Sequence, residues 1–136
     1  DASMMDSGLR DALVGHLHPM LQAHIPDCVV VYDNAPFDWH HPPQRFMTIE
    51  IEPFAAHPLG CAAHPKTRLR GYVYVTTYAP LGEGTAWAMR TLTWLASQMQ
   101  YQSWSPVQLE TVQPVRLRAA TGFDTRGFKC AFYGDV

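Results

Sequence analysis

The spacing of apolar positions predicts a first amphipathic helix near the start of the chain. Four leucines recur at four-residue steps between Ser7 and about Ile25, and this spacing places them on one helix face. Asp6 and Ser7 come before the stripe and are candidate caps. Pro19 lies inside the segment and predicts a kink or a short break. The leucines of the stripe are Leu9, Leu13, Leu17 and Leu21.

A second helical stripe occupies the segment from roughly Thr85 to Gln100. Trp87 and Trp94, seven residues apart, lie beside it. The stripe predicts a helix that buries one face and exposes the other. Its members are Ala88, Leu92, Leu95 and Met99.

The remaining apolar segments alternate or are rich in β-branched and aromatic residues, which predicts strands. Pro114 interrupts one of them and favours an edge position or a bulge. In the longest segment, Tyr72, Tyr74 and Tyr78 fall on the face opposite Val73, and we expect that face to stay half exposed. The predicted strands are Cys28–Tyr32, Phe46–Glu52, Leu69–Ala79, Val107–Ala119 and Gly127–Gly134.

The order of elements is helix, three strands, helix, two strands. It predicts an α+β domain with a largely antiparallel or mixed sheet of four to five strands and both helices on one face. The stretch from Pro53 to Thr67, with its prolines and small residues, is predicted to be a long loop. We expect one domain over residues 1–136. Residues 1–5 are expected to be disordered or an added remnant, with Met4 or Met5 as the natural start.

Composition narrows the functional classes. The chain has 136 residues, 47% of them hydrophobic and 16% charged, as in a folded globular domain. A net charge of −2 gives no electrostatic case for nucleic acid as a sequence-specific partner. Three widely spaced cysteines indicate reduced thiols in a cytosolic setting. No window of about 18 apolar residues predicts a membrane span.

The turn Pro80–Gly84 separates a strand from a helix, as phosphate-binding loops do. It has neither the lysine of a P-loop nor a third glycine, and Glu83 stands where an anion would lie. Gly82 and Gly84 are therefore predicted to be structural turn residues that supply unusual backbone angles, with Gly84 or Thr85 capping the helix.

A metal site is the main chemical alternative. His57, Cys61 and His64 are zinc-type ligands, but structural zinc needs four ligands, and solvated loop residues are the default interpretation. This leaves open a small metal-binding module or metal-dependent hydrolase. Cys61 has no flanking signature of a nucleophile, and we predict no cofactor and no enzymatic activity.

Two further groups of residues each have two interpretations, one as a binding surface and one as an ordinary structural part of the fold. Basic and aromatic side chains cluster at strand spacing and form either a contact patch or a solvated face. Trp87 and Trp94 with the tyrosines form either a ligand pocket or part of the core. The contact candidates are Lys66, Arg68, Arg70, Tyr72, Tyr74, Arg116 and Arg118.

The succession "RLRGYVYVTTYAPLGEGTAWAMRTLTWLASQM" resembles the tail-terminator, or tail-completion, proteins of long-tailed bacteriophages, the group of the lambda minor tail protein U. The leading helix, the strand near "RFMTIEIEP" and the closing "FYGDV" agree in order and length. The residues that carry the resemblance are Arg68, Gly71, Val73, Val75, Pro80, Gly82, Gly84, Ala86, Ala88 and Leu92.

The resemblance implies a small α+β subunit without catalytic residues. Copies of it would form a ring, commonly of six and monomeric or weakly associated when free. The ring would cap the tail tube, stop its growth and meet a head–tail connector or neck protein. The implied location is the virion tail, assembled in the cytoplasm of the bacterial host. The resemblance also implies that the segment Pro53 to Thr67 reaches toward neighbouring subunits or the tube.

Overall fold

The computed structural model describes residues 2–33, 35–60, 65–117 and 122–136, and for residues 2–7 only the backbone. The chain is an α+β fold in which a six-stranded mixed sheet carries two helices. The elements are α1 (Ala2–His24), β1 (Val29–Tyr32), β2 (Phe46–Leu59), β3 (Lys66–Pro80), α2 (Thr85–Met99), β4 (Ser103–Trp104), β5 (Val107–Val115) and β6 (Phe123–Asp135).

The strands lie in the order β1-β2-β3-β6-β5-β4. β1 runs parallel to β2, and every other neighbouring pair is antiparallel. The predicted α+β class is confirmed, but the sheet has six strands, more than the four to five that we expected. β4 has two residues, Ser103 and Trp104, and so short a strand shows no alternation that a sequence pattern could reveal.

The core lies between one face of the sheet and both helices. The leucine stripe of α1 is fully buried, as are Leu95 and Met99 of α2. They pack in one cluster with the inward residues of β2, β3 and β6, among them Ile49, Val75 and Phe132. The apolar stripes predicted for both helices are confirmed as buried, and hydrophobic burial on this scale is the main force that holds such a domain together.

α1 begins earlier than its sequence signals predicted. Asp6 and Ser7 lie inside the helix and do not cap it, and the helix continues through Pro19 without a break. Pro19 removes one backbone hydrogen bond, but the buried leucines on both sides of it keep the two halves on the same core. Neither helix in the described part of the chain is long and apolar enough to cross a bilayer.

The predicted loop from Pro53 to Thr67 is wrong. β2 continues to Leu59 and pairs with β3 from Lys66 onward, so only residues 60–65 connect the two strands. β1 covers β2 only as far as Ile49, so the rest of β2 is an edge, where proline is tolerated.

A bulge explains how this edge accommodates two prolines. Asp33 exchanges hydrogen bonds with the backbone of Ile49 and Ile51 on the side away from β3, so alternation turns the nitrogen of Pro53 to that side as well. The register shifts at the residue after Pro53. Thr67, opposite Pro58, directs its own N–H and C=O to Val136, so the nitrogen of Pro58 also faces away from β3.

Candidate interaction surface

The sheet face opposite the helices is built from alternate residues of β3 and β6. Arg70, Tyr72 and Tyr74 stand directly across from Tyr133, Ala131 and Lys129. Because side chains alternate along a strand, all of them project from the same face. We call the following set the tyrosine–arginine patch: Arg68, Arg70, Tyr72, Tyr74, Lys129 and Tyr133.

Two arginines of the patch are held by carboxylates and by one aromatic ring. Arg68 donates two hydrogen bonds to Asp135, at 2.8 and 3.0 Å, a bidentate arrangement. Its guanidinium carbon lies 4.4 Å from the ring centre of Tyr133, and that of Arg70 lies 5.5 Å from the same ring. Arg70 also lies 3.4 Å from Glu110. These contacts fix both cations on the sheet surface.

Tyr72 is the centre of the other half of the patch. The Lys129 ammonium lies 4.6 Å from its ring centre, Phe54 stacks on it at 5.0 Å, and Tyr74 lies 5.8 Å away. Phe54 occupies the bulge of β2 and is 55% exposed. The bulge thus turns a large apolar side chain outward beside the tyrosines.

The titration behaviour of the patch follows from these partners. The hydrogen bonds from Arg68 lower the pKa of Asp135 and correspondingly raise the pKa of Arg68. Desolvation, with the charge of Glu52 next, raises the pKa of Tyr74. At neutral pH Arg68 and Asp135 therefore form a charged pair, and the Tyr74 phenol is neutral.

A second aromatic group lies at the other end of the same face, and the sequence patterns did not predict it. The rings of Phe46 and Tyr78 stack at 4.5 Å, and Phe37 and Trp39 from the segment between β1 and β2 fold over Phe46. Phe123 packs edge-on against Phe46. The only signal was the aromatic spacing "FDW" in a stretch that was otherwise predicted to be loop.

Of the remaining contact candidates, Lys66 borders the patch, because it lies two residues before Arg68 on the same face of β3 and its charge helps to lower the pKa of Asp135. Lys66 is exposed at the start of β3. Arg116 follows β5 and lines a groove between α2 and the ends of β5 and β6. Arg118 falls outside the described residues. The tyrosines and the two tryptophans of α2 are on opposite sides of the sheet, so the aromatic pocket considered from the sequence does not form as one site.

The glycine turn is structural, as predicted, but the two glycines act differently. Gly82 has φ = +82° at the third position of a turn closed by the Glu83 N–H and the Pro80 carbonyl. Gly84 is the N-cap of α2 with ordinary angles, so the prediction of an unusual conformation there is wrong. It is required because a Cβ would lie 1.9 Å from that of Ala79.

A carboxylate already occupies the start of α2. The Thr85 hydroxyl donates to Asp124 at 2.5 Å, which places negative charge at the helix N-terminus. Together with Glu83 on the preceding turn, this disfavours a phosphate at that place.

The proposed metal ligands are only partly described. His57 lies in β2 opposite Arg68 and is exposed, while Cys61 and His64 fall outside the described residues. Within the described ranges no three histidine, cysteine or acidic side chains come together as a metal site. Burial raises the pKa of the Cys28 and Cys130 thiols to about 11, so both are neutral at physiological pH.

Comparison with known proteins supports the fold alone. No family model matches the chain, and no curated protein matches it. Solved structures do match. One of them, of a protein without a functional name, has a TM-score of 0.68 at 18% identity, over 93% of this chain and 92% of that one. The chain therefore has an α+β fold that occurs at nearly full length in another protein.

Proposed function

We propose that the chain is a structural subunit of a long-tailed bacteriophage or prophage tail. Copies of it form a ring, commonly of six, that caps the tail tube, ends tube polymerisation and presents a surface to the neck protein. The proposal rests on the sequence resemblance to tail-terminator proteins and on one feature of the molecule, the tyrosine–arginine patch. The finished ring would belong to the virion tail.

The patch has the chemistry of a protein contact. Tyrosine and arginine are the residues that most often dominate binding energy at interfaces. Here their side chains are already held by cross-strand contacts, including the bidentate pair of Arg68 with Asp135 and the stack of Phe54 on Tyr72. Preorganised side chains lose little conformational entropy when a partner binds.

A ring requires each subunit to use two different surfaces. Its contacts are heterologous, because one patch meets a different patch on the next copy. The tyrosine–arginine patch lies on the open sheet face, and the groove beside Arg116 lies between α2 and the strands β5 and β6. These two surfaces are unlike in composition and position, as a heterologous contact needs.

The test is co-assembly with purified tail-tube subunits, with tube lengths measured by electron microscopy. We expect the unaltered protein to cap tubes at a bounded length. Tyr74→Ala removes an aromatic ring from the patch and should weaken capping. Tyr101→Ala, which alters a 64% exposed tyrosine away from the patch, should leave capping intact. Urea unfolding of both variants checks that they fold.

Two outcomes separate the parts of the proposal. Tubes that grow without limit in the presence of the unaltered protein would rule out the capping function. Bounded tubes with both variants would keep the function and remove the patch from it.

A further inference from the structure

A pocket of about 400 Å³ lies where the end of α1, the residues before β2 and the first half of α2 meet. It is within the size range of small-molecule sites. It lies on the helix-bearing side of the fold, away from the tyrosine–arginine patch. The lining residues that matter here are His24, Asp27, Arg45, Trp87, Arg90 and Thr91.

Two guanidinium groups in this pocket have no carboxylate partner within the described part of the chain. Neither Arg45 nor Arg90 takes part in an ion pair among the residues that the structure describes. Four other arginines do, namely Arg10, Arg68, Arg70 and Arg126. Among the described residues of the lining Asp27 is the one acidic side chain, against two arginines, so these residues give the pocket a net positive charge. Unpaired arginines gathered in a concave site favour an anion.

Aromatic contacts hold the walls of the pocket in place. The Arg45 guanidinium carbon lies 5.3 Å from the ring centre of Trp87, and this contact restricts the arginine side chain. His24 stacks on Trp94 at 3.7 Å with the rings 8° from parallel, which joins the end of α1 to α2. Thr91 at the pocket wall is buried. The Arg45 cation is therefore held at the wall of the pocket, and ring stacking joins the two helices that border it.

We propose that this pocket binds a small free anion that carries a phosphate group or two carboxylates, held between Arg45 and Arg90. Guanidinium groups present paired N–H donors that match phosphate and carboxylate oxygens. The binding site is separate from the proposed ring contacts, so it can exist whether or not the chain caps a tube.

The experiment follows the indole N–H signal of Trp87 by ¹H–¹⁵N NMR, identified with a Trp87→Phe variant. Inorganic phosphate, succinate and acetate are titrated at low salt, and sodium chloride at matched ionic strength is the blank. We expect a saturable shift of the Trp87 signal with phosphate or succinate and a much weaker one with acetate. Saturation with phosphate alone assigns a phosphate ligand, and saturation with succinate alone assigns a dicarboxylate.

Charge-removing variants connect the signal to the two arginines. Arg45→Gln and Arg90→Gln should each lower the affinity by at least ~10-fold, because each removes a charge-assisted contact. Arg116→Gln is the matched control, since Arg116 is also exposed and forms no ion pair with any other described residue, but lies outside the pocket. Both pocket arginines are exposed, so the variants should fold, and urea unfolding verifies this.

The proposal is overturned by a Trp87 signal that fails to saturate with every anion or moves equally with sodium chloride. It is also overturned when Arg116→Gln weakens binding as much as the pocket variants do.

Discussion

Replacing Gly84 with alanine gives a sharp test of how the turn before α2 is built. The added methyl carbon would lie 1.9 Å from the Cβ of Ala79, about 1.5 Å closer than the 3.4 Å at which ordinary van der Waals contact begins. The neighbour is a methyl on a strand backbone, so no rotamer change can relieve the overlap. Overpacking usually costs about 1–3 kcal/mol, and we expect about 3 kcal/mol here.

Gly82→Ala is the matched control in the same turn. Gly82 has φ = +82° and open space where a Cβ would lie, so its substitution introduces backbone strain without a clash. Strain of this kind costs about 1–2 kcal/mol. Urea unfolding at 25 °C, followed by circular dichroism with a common m-value, measures both differences in the free energy of unfolding.

A second substitution isolates the clash itself. Ala79→Gly removes the opposing methyl, and the Cβ at position 84 would then meet the Ala79 Cα position at 3.2 Å, a distance that small shifts can absorb. In a double-mutant cycle, Ala79→Gly should recover about 1–2 kcal/mol of the loss caused by Gly84→Ala. The reasoning is refuted when Gly84→Ala costs no more than Gly82→Ala, or when the cycle shows no coupling.

Three further results are expected. Because the hydrogen bonds from Arg68 lower the pKa of Asp135, this carboxylate stabilises the fold above its unfolded pKa, and the contribution disappears as pH falls through the lower folded value. The stability difference between the unaltered protein and Asp135→Asn, measured by urea unfolding from pH 7 to pH 2, should therefore shrink at the acid end, and a constant difference would contradict the assignment. Cys28 has a pKa of about 11, against the ordinary 9.0, which leaves about 100-fold less thiolate than a free thiol has at pH 8. In a variant that keeps Cys28 as its one cysteine, labelling with a thiol reagent at pH 8 should therefore be slower by about that factor than labelling of a free thiol. A double-mutant cycle of Arg10→Met with Asp33→Asn should give about 1–2 kcal/mol of coupling, since the pair is three-quarters buried, whereas coupling near zero would show that the ion pair contributes nothing.

The elements that bury one regular stripe could be predicted from the sequence. The four leucines of α1 and the alternation of Met47, Ile49 and Ile51 each report a local periodicity, which survives in the fold. The residues at which the helices and strands begin and end were harder to predict. Pro53 and Pro58 suggested a loop, because local preference does not reveal that a strand has a free side on which proline is harmless.

The arrangement of the patch could be predicted only in part. Arg68, Arg70, Tyr72 and Tyr74 share a face by simple alternation, and this was evident from the spacing. Their contact partners were not evident from the spacing, because Arg68, for example, pairs with Asp135, which lies 67 positions away in the sequence. Contacts at such separation depend on strand order, which local patterns do not determine.

The prolines of β2 have a consequence for any assembly that the chain enters. The nitrogens of Pro53 and Pro58 face the free edge and carry no hydrogen, and Asp33 already occupies the amide of Ile51. A strand that approached this edge would find backbone carbonyl acceptors but few N–H donors, so the edge resists pairing with a strand of another molecule. Extension of the sheet into a neighbouring molecule, and fibrillar stacking with it, is therefore suppressed at this edge.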